Sequence, residues 1–344
     1  MVATRTTSPK EVTGERRNSL GSNRCGFFCI GYRLGSRQGT RKHYTDEGGI
    51  GGSSTFAWQR LSFSVGAVGN PPGEPEFYME LSGNVSGGTA ANQQIFADFP
   101  VEDVRVGANG DVTFSVYLHG SSTGTVGVQL VQFFGTGGSA YVPVAGQNIS
   151  VTTTWKRYTL TFAAPSISGK TIGTGSHIRI RVYKQAGSAI QASVGLPTTI
   201  NYTGNLHIWG VQLDLGSTAT AFERRPIALE QRLLERYFFR FPDGNLYSYV
   251  GTGDIPSTTY ALILVQVPVT MRTAPTFSYG GSWGVIFSGT GVGLSSISVL
   301  VNDGYALVLQ ANLSSAISSA YVGHAALLRH NSDANAYMQL DARF

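Results

Sequence analysis

Strict two-residue alternation, repeated in short runs between glycine-rich turns, restricts this chain more than any other feature. In Asp111–His119, Val112, Phe114, Val116 and Leu118 fall on one side, and Thr113, Ser115, Tyr117 and His119 on the other. Only an extended strand with one buried face sorts side chains in that way. In His177–Tyr183, Ile178, Ile180 and Val182 oppose Arg179, Arg181 and Tyr183, and Trp155–Phe162 alternates as well. Gly124–Phe134 and Asn205–Leu215 complete a set of strands between about 55 and 215. Turn signals such as Asn109-Gly110 and Gly135–Gly138 separate them. Short strands with one polar face predict an antiparallel sandwich. Composition agrees: 44 glycines and only 13% charged residues suit turn-rich β structure.

One segment reads as a helix. Over 226–241, Ile227, Leu229, Leu233, Leu234, Tyr237, Phe238 and Phe241 cover half of a helical wheel, and Pro226 suits its first turn. Residues 245–344 then form a second β unit, with strands expected at 261–269, 296–301, 305–310, 320–329 and 336–344. The expected architecture is therefore all-β: a jelly-roll β-sandwich and a second, smaller C-terminal β-sandwich, joined by one short amphipathic helix, with an extended N-terminal arm. The boundaries are arm 1–50, jelly roll 51–221, helical linker 222–244 and C-terminal domain 245–344.

The net charge of +5 is unevenly placed. Residues 1–44 carry nine basic and two acidic side chains, so the remainder is slightly acidic. The arm, with Arg16, Arg17, Arg24, Arg33 and Arg37, reads as a docking element that orders on contact with a more acidic partner. Nucleic acid is the distant alternative. Cys25 and Cys29, even with His43, fall short of the four ligands of a structural zinc site. Neither a membrane span nor a secretory leader is expected.

Catalytic motifs are missing. H-E-x-x-H and phosphate loops do not occur. Glu74 and Glu76 could share a face but read as solvated loop acids rather than a glycosidase pair, and Glu102 and Asp103, as neighbours on a strand, would point to opposite faces. A polar sheet face is the better candidate, because sugars are held by aromatic faces and planar polar groups on a rigid surface. Tyr117, His119, Gln129, Arg179, Arg181 and Tyr183 would line one such face if their strands share a sheet. An ordinary solvated face or a subunit contact is the competing reading. No cofactor is expected; structural calcium would draw on Asp98 and Asp214.

Several stretches carry a resemblance. Gly110–Leu118, Val151–Leu160 and Leu206–Leu213 resemble the jelly-roll carbohydrate-binding modules. Pro72–Pro75, Phe134–Gly138, Pro165–Lys170 and above all Val211–Pro226, which ends Phe-Glu-Arg-Arg-Pro, are similar to tail-fibre and virion structural proteins of tailed bacteriophages, cyanophage-like ones included. Leu234–Phe238, Val267–Pro275 and Met338–Phe344 extend the similarity into the C-terminal half. The resemblance implies a non-enzymatic virion fibre or spike, assembled in the host cytoplasm and presenting β domains to host-surface glycans. It also implies a homo-oligomer, commonly a trimer, with Leu229, Leu233 and Tyr237 of the helix about its axis. A purely structural head or tail component is the alternative.

Overall fold

A computed structural model describes residues 24–25, 55–84, 91–241, 247–333 and 336–342. The fold is all-β, with a jelly-roll sandwich followed by a second β unit, and each has its own hydrophobic core. Arg16, Arg17, Arg33 and Arg37 lie outside the described residues; Arg24 is seen only as backbone, pairing with Asp214. Among the described residues no helix is long and apolar enough to cross a membrane.

The sandwich has two antiparallel sheets. In the first, strands Thr55–Ser62, Phe77–Asn84, Leu206–Leu215, Gly110–Gly120 and Lys156–Ala164 lie side by side in that order. In the second, His177–Ala186 is flanked by Gln94–Glu102 and Gly124–Phe133, and Gln147–Val151 pairs with the latter. The inward rows are those that alternation predicts: Val112, Phe114, Val116 and Leu118 meet Ile178, Ile180 and Val182, all fully buried. Lys184 bolts the sheets together. Fully buried, its ammonium donates to the Gly83 and Tyr202 carbonyls and to Asn84 Oδ1 at 2.6–3.1 Å.

A bulge corrects one alternation. Trp209 is expected to share a face with Val211 and Leu213, but the register shifts between Trp209 and Gln212. Gly210, at φ +61°, takes the left-handed bend, and a Cβ there would press on the Tyr117 ring. The extra residue puts Trp209 and Gln212 on the outer face and leaves Val211 and Leu213 in the core.

The expected helix over 226–241 is shorter. Helix α2 spans Ile227–Glu235, and Phe238–Arg240 becomes a strand pairing with Gln339–Asp341. The aromatic run thus leaves the helical stripe: Phe241 enters the C-terminal core and Phe239 packs on it. A second helix, α1 over Ser188–Val194, has no counterpart among the elements expected from sequence.

The C-terminal unit is more closed than an open sandwich. Strands 249–254, 260–266, 306–313, 290–302, 283–287 and 325–330 form a barrel, because Ala325–His330 pairs with both Tyr249–Asp254 and Trp283–Phe287. Glycine permits the tight closure: a Cβ on Gly253 would collide with the Leu262 carbonyl. A three-stranded sheet of 238–240, 337–341 and 276–280 accompanies the barrel.

Candidate functional site

The six polar-face residues divide between two surfaces. Tyr117 and His119 stand on the outside of the first sheet; Gln129, Arg179, Arg181 and Tyr183 stand on the outside of the second. The expectation of one shared surface fails because the strands carrying them belong to opposite layers.

On the first sheet the outer face is an aromatic cluster under two straps. Phe63 packs on Tyr78, Trp155 and Trp209, with centroids 4.8–6.4 Å apart. Phe222 lies 4.8 Å from Trp209, whose other side meets Tyr117 at 5.2 Å. Phe63 and Trp209 are consequently buried. The straps are tied down. Asp214 accepts from the Thr220 hydroxyl at 2.7 Å, Gln212 accepts from the Glu223 amide at 3.0 Å, and Arg224 donates to the Gly73 carbonyl. The Phe222–Pro226 stretch thus acts structurally, laying Phe222 on Trp209 and leading the chain to α2.

The same face carries a chain of polar groups. His119 Nδ1 lies 2.9 Å from His207 Nδ1, and His207 Nε2 donates to Glu80 at 2.8 Å. Gln59 and Asn205 hold Glu80 further, and these hydrogen bonds, with the His207 charge, outweigh burial and keep its carboxyl below the usual range. Burial, then the neighbouring His207, lowers His119.

On the second sheet part of the outer face is covered too. Tyr183 and Gln129 are buried, the Tyr183 hydroxyl donating to Gln129 and Gln129 to the Val194 carbonyl. Leu196, Ile190 and Val194, in and just after α1, close over them. These two residues are therefore a satellite core and not an open surface.

Next to that cover the face is charged and partly exposed. Arg181 forks onto Asp98, Nε to Oδ1 at 2.7 Å and Nη2 to Oδ2 at 3.0 Å, while Arg179 reaches the same carboxylate at 3.1 Å. Both guanidiniums stack on rings: Arg181 on Phe96 at 3.9 Å and Arg179 on Phe133 at 4.4 Å. His177 lies parallel to Phe133 at 5.0 Å, and Tyr141 stacks on Phe133 at 5.7 Å. Tyr141 is 62% exposed and offers the free aromatic surface of this strip. His177 donates from Nδ1 to the Gly175 carbonyl at 2.8 Å and accepts an Arg179 N–H on Nε2 at 3.0 Å. That pattern requires neutral imidazole, and burial pushes its pKa down to about 4.

The C-terminal half abuts the same end. Glu102 accepts from Arg236 at 2.8 Å and from the Tyr237 hydroxyl at 2.9 Å, and these bonds hold its carboxyl low against the opposing effect of burial. Tyr237, expected on an oligomer axis with Leu229 and Leu233, is thus engaged in this seam, beyond the end of α2. Leu229 is 48% exposed and Leu233 is half-buried.

Phe96, Asp98, Phe133, Tyr141 and His177 were not among the binding residues expected from sequence. Alternation in Gln94–Glu102 could have placed Phe96 and Asp98 beside Arg181; Tyr141 sits in a loop without periodicity. The carboxylates expected for calcium are already engaged, Asp98 by two arginines and Asp214 by Thr220 and Gln212. Among the described residues no group of three or more His, Cys, Asp or Glu is placed to hold a metal. Glu74 accepts from the Gly66 amide at 3.1 Å.

No protein-family model and no curated protein matches the chain. Among solved structures it is similar to the family 11 carbohydrate-binding module from Clostridium thermocellum, in complex with a β-1,3-1,4-mixed-linked tetrasaccharide. The identity is 11% over 49% of this chain and 88% of that one, with a TM-score of 0.29. It is also similar to the N-terminal CBM22-1-CBM22-2 tandem domain of Paenibacillus barcinonensis Xyn10C. There the identity is 14% over 88% and 95% of the two chains, with a TM-score of 0.28.

Proposed function

We propose that this chain is a non-enzymatic glycan-recognition protein of a bacteriophage virion, of tail-fibre or spike type, acting as a homo-oligomer. The observation that carries the glycan reading is the uncovered strip of the second sheet. There Arg179 and Arg181 lie over the rings of Phe133 and Phe96 beside the exposed ring of Tyr141. Planar donors and an open aromatic face on rigid strands are what a sugar ring needs. The virion reading is supported by the resemblance of Val211–Pro226, and the basic arm supplies a means of attachment.

A second reading is a structural virion component that uses these surfaces for protein contacts. Helix α2 favours it: Leu229 is exposed, and none of the helix residues with described side chains is buried. One experiment separates the two. The purified chain and Tyr141→Ala are tested for retention on immobilised envelope polysaccharide of susceptible cells. Retention that Tyr141→Ala weakens supports glycan recognition; no retention by the unaltered chain rejects it. New reducing ends during the incubation would contradict the non-enzymatic assignment. Light scattering giving a monomer mass would contradict the oligomer.

A further inference from the structure

The outer strip of the second sheet has more positive charge than it can balance. Asp98 is the one carboxylate within salt-bridge distance of Arg179 or Arg181 among the described residues, and it serves both. Both guanidiniums are largely withdrawn from water, with side-chain exposures of 17% and 14%. Charge in such a position is poorly screened. His177 accepts a hydrogen bond from Arg179 but, being neutral, adds no negative charge. Acceptors run short as well, since the buried Nε of Arg179 has no hydrogen-bond partner. Arg236 and Arg272 stand at the seam beyond, where Glu102 lies; Arg272 is close enough that both Glu102 and His177 feel its charge.

Resting on the glycan reading above, we infer that the sugar this strip takes is acidic, a uronate whose carboxylate answers the Arg179–Asp98–Arg181 cluster while its ring lies on Tyr141. Two cations around one anion leave one positive charge unanswered, and the guanidinium N–H groups that Asp98 and His177 do not use suit a carboxylate better than they suit hydroxyls. Stacking on Phe96 and Phe133, with the bonds to Asp98, fixes both guanidiniums before the ligand arrives, so little side-chain freedom is lost on binding. A neutral sugar would find the aromatic surface but leave the excess charge uncompensated.

The probe is polygalacturonate, compared in affinity electrophoresis with its carboxyl-reduced neutral form and with dextran sulfate. The expected result is at least tenfold stronger retardation by polygalacturonate than by its reduced form. Arg179→Gln should bring that ratio toward one, while Lys156→Gln, an exposed cation on the other sheet, leaves it unchanged. Arg179→Lys keeps the charge without the fork and should fall between; it also serves if Arg179→Gln does not melt cooperatively. Equal retardation by the acidic and reduced polymers, both weakened by Tyr141→Ala, would overturn the acidic assignment and leave glycan recognition standing. Stronger retardation by dextran sulfate, insensitive to Arg179→Gln, would also overturn it, marking general charge attraction. Retardation by neither galacturonan overturns the acidic assignment, and failure on envelope polysaccharide is the separate result that would remove the glycan reading.

Discussion

The two outer faces of the sandwich begin from the same sequence pattern and end in opposite states. Tyr117 and His119 alternate with core residues just as Arg179 and Arg181 do. On the first sheet, Phe63 and Phe222 come down over the face, and a cluster of rings becomes a small second core. On the second sheet only one end is closed, by α1 and Leu196, and the neighbouring arginines stay at the surface on Asp98. What decides the fate of a polar sheet face here is the chain that leaves the strand. Where that chain is pinned by hydrogen bonds, as at Asp214–Thr220, the face is covered; where it is not, the face stays partly exposed, as the proposed glycan site requires.

The largest break in this comparison is expected from Trp209→Ala. It removes the ring that joins Phe63, Tyr117 and Phe222, at a cost of about 3–4 kcal/mol. Denaturant unfolding should show that loss, while the folded fraction keeps its retention on polysaccharide. Phe222→Ala, which strips only the strap, should cost less, about 2 kcal/mol. If either change abolished binding in the folded fraction, the division of labour between the faces would fall.

Acid should come next. The pKa of His177 is lowered to about 4, so between pH 4 and 6.5 the unfolded chain holds a proton that the native state does not. Stability is then highest above pH 6.5 and falls toward pH 4, by about 3 kcal/mol for this group. His119 on the other face is lowered by burial and by His207, so it acts in the same direction. Midpoints measured from pH 4.5 to 7 should therefore slope, and His177→Gln should flatten much of the slope. A slope untouched by His177→Gln would place the proton-linked loss on His119 or on the carboxylates of Glu80 and Glu102.

The sandwich was legible because only an extended strand with one covered face buries every second residue: Val112 to Leu118 and Ile178 to Val182 read directly as core. Plain alternation puts Trp209 on the wrong face because Gly210 reverses parity, and a glycine inside a strand run is the one local sign of such a bulge. The end of α2 was misread because Tyr237, Phe238 and Phe241 fit a helical stripe; their fates were set by Gln339–Asp341 and Glu102, distant partners that periodicity cannot see. Half of the expected binding face on the second sheet shared this fate. Arg179 and Arg181 stood out by alternation, whereas the cover over Gln129 and Tyr183 comes from α1, a short helix without a buried residue.

The smallest expected change in stability bears most directly on the comparison. Tyr141 is mostly exposed and touches the strip chiefly through Phe133, so Tyr141→Ala should alter unfolding by no more than about 0.5 kcal/mol. If its ring is the sugar platform, the same change should cost about tenfold in affinity for the bound polysaccharide, the usual scale for truncating an aromatic anchor. Tyr117→Ala is the mirror experiment. Its ring is committed to Trp209, so stability should fall while affinity holds. A pair of variants that moved both quantities together would mean that the two faces are not independent. The covered cluster would then reach the open strip through the strands between them.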